Sequence, residues 1–324
     1  MTFFSECNPC QVVNNRHSMN AKLRHLTVFI LLLFTTTISF ADGKDDKPRD
    51  LKITVYDVLS RPIVSVKTPA TGFLDYQANN AQTLGFSVKY QRYGISLSPS
   101  LWGTSNYKPM HPDTKFFDAK GFYYGENWGA DLYYQYFRGF FAPARGTQTY
   151  DNPGLNLSSF TLNVYRPLTK GSQIYNMTEG LSHNGIHWNF YYLLGGSYHD
   201  METGITLLPG LSDSSLKNMI DLRQAKTYDA FGALGVSLNT YLGGFFFDPG
   251  LFPGWGMQYR SVNTNMDRYG GTIKLSLIFN IGYQGDSFEL GIKAQDDGNT
   301  LGTGTNSRIG YQSIILKLYL ELFF

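Results

Sequence analysis

Residues 272–283 read TIKLSLIFNIGY, and 287–295 follow as SFELGIKAQ after only Gln284, Gly285 and Asp286. In the first stretch Ile273, Leu275, Leu277, Phe279, Ile281 and Tyr283 alternate with Thr272, Lys274, Ser276, Ile278, Asn280 and Gly282. In the second, Phe288, Leu290, Ile292 and Ala294 alternate with Ser287, Glu289, Gly291, Lys293 and Gln295. A period of two marks an extended strand with one apolar face, and so short a gap makes the two a hairpin. The pattern recurs at Leu84, Phe86, Val88 and Tyr90, at Phe160, Leu162 and Val164, and at Leu234, Val236 and Leu238. It closes the chain with Ile314, Leu316, Leu318, Leu320, Leu322 and Phe324. Several runs reach ten residues or more. That exceeds the usual soluble strand and matches a tilted membrane crossing.

Extended along the chain, the alternation predicts twelve strands. They lie near 62–68, 83–91, 93–101, 114–124, 128–141, 157–166, 186–199, 230–240, 244–262, 270–284, 287–297 and 308–324. A ten-strand version is the alternative, because Pro62, Pro249 and Pro253 interrupt the first and ninth strands and proline cannot donate to a ladder. Gaps after the second, fourth, eighth and tenth strands span one to three residues, whereas those after odd strands run from seven to thirty. Short turns on one side and long loops on the other are the habit of a transmembrane antiparallel β-barrel with short periplasmic turns. The connection 167–185 is the exception to that parity.

Composition agrees. Aromatic residues make up 16% of the 324 residues and charged residues also 16%, with 34 glycines. A polytopic helical membrane protein would need several runs of about 20 apolar residues, and the chain has at most one, at its start. In 22–41, KLRHLTVFILLLFTTTISFA, Lys22 and Arg24 precede an apolar core, and Ser39-Phe40-Ala41 is a small-x-small cleavage pattern. That is a secretory signal peptide with cleavage after Ala41, and Met19 is an alternative start. The expected organisation is therefore an extension plus signal peptide over 1–41, a short periplasmic segment over 42–61 and the barrel over 62–324. Cys7 and Cys10 fall in the leader, where C-x-x-C has no partner ligands. Removing residues 1–41 leaves 24 basic and 24 acidic residues, a balance that points away from nucleic acid.

The C-terminal LYLELFF, with Leu320, Leu322 and the final Phe324, resembles the terminal signal of bacterial outer-membrane proteins read by the barrel-assembly machinery. LGFSVKYQRYGISLS at 84–98 and TKFFDAKGFYYGENWGADLYYQYFRGFF at 114–141 resemble an uncharacterised outer-membrane barrel family, domain of unknown function 4421. GALGVSLNTYLGGFFF at 232–247 and IFNIGYQGDSFELGI at 278–292 are similar to its later hairpins. The resemblance implies a fold and a Gram-negative outer-membrane location, and no catalytic residues.

With the apolar face against lipid, the inward set is polar and mixed in sign. It holds Lys89, Lys120, Lys274, Lys293 and Lys317 against Asp118, Asp131, Glu289 and Glu321. Near balance predicts ion pairs filling the lumen, since unpaired buried charge is costly, where a selective channel would show a ring of one sign. Beyond the leader stand His111, His183, His187 and His199. His183 and His187 are four apart but without a helical face for a metal. Ser197, His199 and Asp200 form the one candidate catalytic group, since outer-membrane acyl hydrolases keep a Ser/His site near the outer leaflet. Its spacing lacks a recognised motif. The segment 200–229 is a long outer loop in which Leu211, Leu216, Met219, Ile220 and Leu222 fit a short amphipathic helix, and its deletion is expected to leave the barrel intact. The leading functional expectation is a non-enzymatic barrel, without cofactor or metal, that passes or binds a solute or presents loops to a surface partner. A lipid-modifying enzyme around Ser197 and His199 is the alternative.

Overall fold

The computed structural model describes residues 51–68, 72–79, 81–99, 114–125, 127–142, 150–168, 185–204, 223–262, 268–302 and 308–324. The expected leader, both cysteines, His111, His183 and the expected amphipathic stretch from Leu211 to Leu222 lie outside these residues. In chain order the strands are β1 (Leu51–Thr68), β2 (Gly72–Ala78), β3 (Ala81–Tyr90), β4 (Tyr93–Pro99), β5 (Lys115–Tyr124), β6 (Gly129–Ala142) and β7 (Tyr150–Pro167). They continue as β8 (Gly185–Glu202), β9 (Gln224–Leu242), β10 (Phe245–Val262), β11 (Arg268–Gln284), β12 (Phe288–Gly302) and β13 (Arg308–Phe323).

Every pairing is antiparallel, and β13 returns to β1 through an unbroken ladder from Lys52↔Phe323 to Lys67↔Arg308, so the sheet is closed. Thirteen segments make a barrel of twelve strands, because β2 and β3 lie in series along one edge of β1. Beyond the outer ends of β4 and β5, β2 docks directly on β6 at Gln77↔Phe141 and Ala78↔Phe140. A bulge at Gly139 (φ 89°) makes the joint, and the register shifts between Arg138 and Phe140. Thr114 ties it together, its hydroxyl donating to the Gly139 carbonyl at 2.6 Å and accepting from the Asn79 N–H at 2.8 Å. Among the described residues the wall thus narrows from twelve strands to ten toward its outer end.

The first strand begins at Leu51, eleven residues before its expected start, so 51–61 is barrel wall instead of periplasmic segment. Ile53, Val55 and Leu59 kept the period there, but Asp57 and Pro62 masked it. The strand β2 was not anticipated at all. The strands β8 and β9 also run on to Glu202 and back to Gln224, so both ends of the expected 200–229 loop belong to the wall. Pro249 and Pro253 sit inside β10 where the ladder to β9 omits positions 248–249 and 252–253 while the ladder to β11 continues. The β9–β10 hairpin turns on Gly243 and Gly244, both at positive φ (58° and 89°), as a two-residue turn with matching twist demands.

The burial pattern is inverted relative to a soluble barrel. Large apolar side chains on nearly every strand are exposed, among them Phe86, Ile95, Leu162, Phe190, Leu234, Ile273, Leu277, Ile292 and Leu318. Their neighbours one residue away are buried and polar, such as Lys89, Ser96, Asp131, Asn189 and Asp229. A continuous exposed apolar belt of this extent is incompatible with water and fits a hydrocarbon surround. The same alternation splits the aromatic residues near the strand ends. Trp128, Tyr134 and Tyr192 point out, whereas Phe137 and Tyr191 are fully buried in the lumen.

The glycines and lumenal aromatics are two halves of one device. Five times a ring lies over the glycine directly opposite it: Tyr56 on Gly85, Phe122 on Gly94, Phe231 on Gly195, Phe246 on Gly282 and Tyr319 on Gly291. A side chain on any of these glycines would collide with the ring. Covering edge and barrel glycines with aromatics restores packing and pins register.

Candidate functional site in the barrel lumen

Two apolar clusters cross the lumen. The outer one gathers Tyr56, Val58 and Val64 of β1 with Tyr76, Phe116, Phe137, Phe140, Leu155, Leu157, Met201, Tyr311 and Ile315. Its rings pack closely, Phe116 and Phe137 being stacked with centroids 4.8 Å apart. The second joins Tyr124, Tyr165, Tyr191, Leu193, Phe231 and Phe252 toward the end of the barrel that carries the short turns. Between them is a cavity of about 130 Å³. It is lined by Lys120, Lys274, Lys293, Lys317, Asp131, Ser159, Ser197, His199, Ser276, Ser313 and Tyr311, together with residues of both clusters. Tyr311 reaches across the lumen, its hydroxyl donating to Gln135 Oε1 at 3.3 Å and its ring lying 5.1 Å from that of His199.

Four of the five expected lumenal lysines line this one cavity, and the carboxylates stand mostly in the wall around it. Lys120 Nζ is 3.5 Å from Asp131, which also accepts from Tyr165 at 2.7 Å and Asn163 at 2.9 Å. Asp118, fully buried, accepts from the Tyr133 hydroxyl at 2.5 Å. Glu289 accepts from Tyr319 at 2.6 Å. Glu321 takes Lys52 at 3.3 Å and the Thr54 hydroxyl at 2.8 Å. Neutral donors thus satisfy much of the acidic set, as buried charge requires. Lys89 is buried near the short-turn end and does not line the cavity. Asn189 donates to Asn239 across β8 and β9. Of the residues in the expected C-terminal assembly signal, Leu320 is covered, Leu322 half-buried and Phe324 exposed. The Phe324 N–H bonds to the Leu51 carbonyl at 2.9 Å and completes the β1–β13 seam.

The candidate group Ser197, His199 and Asp200 is taken apart by the fold. Asp200 projects to the other face, as strand parity demands, and accepts from Tyr198 at 2.9 Å and Gln224 at 3.3 Å. His199 instead meets Ser159 of β7, directly opposite it, with Oγ 2.9 Å from Nδ1. Its Nε2 is 3.7 Å from Asp229 of β9, to which Ser197 donates at 3.0 Å and Gln258 at 2.7 Å. Ser159 was legible in the sequence only as an inward-parity position, and Asp229 fell at the end of the expected outer loop. A Ser–His–Asp chain of this kind can hold and pass a proton, but Ser159, His199 and Asp229 are all buried and face the lumen. Among the described residues no group of three or more His, Cys, Asp or Glu is placed to hold a metal ion.

A closed antiparallel sheet with an apolar exterior and a charged, packed lumen defines the class as a transmembrane β-barrel. No protein-family model matches the chain, and no curated protein is significantly similar to it. Among solved structures it is similar to the beta domain of the Bordetella autotransporter BrkA, with TM-score 0.41 and 11% identity over 85% of this chain and all of that one. It is similar to an outer-membrane channel from Pseudomonas putida F1, with TM-score 0.40 and 13% identity over 88% of this chain and all of that one. A third is the outer-membrane protease OmpT from Escherichia coli, with TM-score 0.37 and 10% identity over 87% of this chain and 99% of that one.

Proposed function

We propose that this protein is a Gram-negative outer-membrane barrel, exported by a signal peptide cleaved after Ala41, that binds a small solute in its lumen and is not an open pore. One observation carries this reading. A cavity of about 130 Å³, lined by lysines and serines among apolar and aromatic side chains, sits between two apolar clusters. A water-filled channel needs a continuous polar path, whereas a largely apolar pocket with a few polar groups is the ordinary form of a binding site. The volume is below the range of drug-sized pockets, so the solute is compact. Membership of the uncharacterised family named above is part of the proposal and supplies no activity of its own. The test is planar-bilayer recording of the protein purified from membranes. The expected trace is silent, and steady open steps would overturn the reading.

A second reading, acyl transfer, has the Ser159–His199–Asp229 chain in its favour. An altered lipid profile in cells making the protein, lost on Ser159→Ala and on His199→Ala alike, would establish it.

A further inference from the structure

The strands β12 and β13 carry two like-charged pairs, and the protein answers only one of them. Glu289 stands directly opposite Glu321 and, four residues along each strand, Lys293 stands directly opposite Lys317. Like charges in direct opposition destabilise a sheet. For the carboxylates the remedy is present: Tyr319 donates to Glu289, while Lys52 and Thr54 hold Glu321. Lys52 itself opposes Lys89 across β1 and β3, and Glu321 lies 3.3 Å from it. The lysine pair has no counterpart to this. The other cross-strand neighbour of Lys293 is Asn280, and that of Lys317 is Val58. The Lys317 ammonium lies 4.6 Å over the Tyr56 ring, and among the described residues no carboxylate comes within 4.0 Å of Lys293 or Lys317. Asp118, Asp131 and Asp248 stand within electrostatic range. Asp131 is engaged by Asn163, Tyr165 and Lys120, Asp118 accepts from Tyr133 through one oxygen and has Lys317 as its foremost charge neighbour, and Asp248 sits in a separate cleft beside Ser237 and Asn239.

Both lysines line the cavity, as do Lys120 and Lys274 and the hydroxyls of Ser276 and Ser313. The Lys274 ammonium lies 4.0 Å over the Phe231 ring. Lysine and serine side chains lining one cavity are the donors that an oxyanion accepts from, and in a low-dielectric surround such bonds are strong. We infer that the Lys293–Lys317 pair, with Lys120 and Lys274 around the same cavity, is a binding site for a small oxyanion, either phosphate or a short carboxylate. The inference deepens the closed-lumen reading and rests on it. It names the chemistry of the solute and gives the opposed lysines a reason to coexist.

The experiment follows thermal unfolding of the purified full protein in detergent at constant ionic strength, with chloride replaced stepwise by inorganic phosphate and, separately, by acetate. A ligand bound only by the folded barrel raises Tm along a saturating curve. The expected result is such a curve for phosphate, acetate or both, which assigns the oxyanion. Lys293→Met and Lys317→Met should each weaken the apparent affinity at least about tenfold, the worth of one charge-assisted bond. In chloride each should unfold no lower than the parent, because the mutual repulsion is gone. Lys226→Met, outside the lumen on β9, should keep the full response. A parent Tm indifferent to both anions overturns the site. So does a response that survives in both lysine variants, which would mark general salt stabilisation. Steady conductance of the parent would overturn the closed-lumen reading, whereas a silent barrel indifferent to oxyanions would overturn this site alone.

Discussion

Truncating Phe137 to alanine tests whether the outer end of the lumen is a packed core. The ring is fully buried and stacks on Phe116 at 4.8 Å with planes 26° apart. Emptying such a site costs about 3–5 kcal/mol through lost transfer energy and the cavity left behind. The stacked geometry adds about 0.5–1.5 kcal/mol that belongs to the pair. Phe137→Ala should therefore lower stability by about 3–5 kcal/mol. Phe116→Ala should do nearly the same, and the double variant should fall short of additivity by about 0.5–1.5 kcal/mol. Urea unfolding in lipid vesicles, followed by tryptophan fluorescence, reads these values because Trp128, Trp188 and Trp255 all face outward. Planar-bilayer recording of the double variant adds a functional measure, since thinning the outer cluster should turn a silent barrel into one with brief openings. A loss below about 1 kcal/mol for Phe137→Ala, or full additivity, would refute a packed lumen at this level.

Three further outcomes follow from the same geometry. Gly85→Ala would place a Cβ 2.1 Å from the Tyr56 ring and 2.5 Å from Ser98 Oγ, so its urea midpoint should fall by the equivalent of about 1–3 kcal/mol. An unchanged midpoint would show that the ring is not seated on the glycine. Asp131→Ala removes the acceptor shared by Lys120, Asn163 and Tyr165 and should cost about 3–5 kcal/mol, the penalty of stranding a buried cation. Adding Lys120→Met should restore part of that loss, and a double variant no better than the single would exclude the pair. Excising 205–222 and joining β8 to β9 beyond Glu202↔Gln224 should preserve heat-modifiable migration on gels, while excising 200–229 should abolish it. Equal migration of the two deletants would contradict the placement of Asp229 in the wall.

How far the sequence carried the argument depended on whether the information was local. Alternation in stretches such as 272–283 and 287–295 settles which side chains face lipid, because consecutive residues of a strand point to opposite sides. The same rule set Asp200 against His199, and parity alone would have excluded it from the candidate site. The start of β1 was obscured for a local reason as well, Asp57 and Pro62 breaking an otherwise regular alternation over 51–68.

What the sequence determined by itself is most of the strands, the lumenal and lipid faces and the hairpin order, all consequences of a two-residue period and short turns. Only the tertiary structure decided which inward residues meet. Ser159 faces His199, and Ser197 faces Asp229, because of the registers of β7–β8 and β8–β9. Those registers depend on connections whose length does not fix the offset. Closure did the rest. It brought Tyr311 of β13 to Gln135 of β6 across the lumen and gathered four lysines from β5, β11, β12 and β13 around one cavity. Such contacts exist only once the sheet has curled onto itself, and no pattern along a single strand records them.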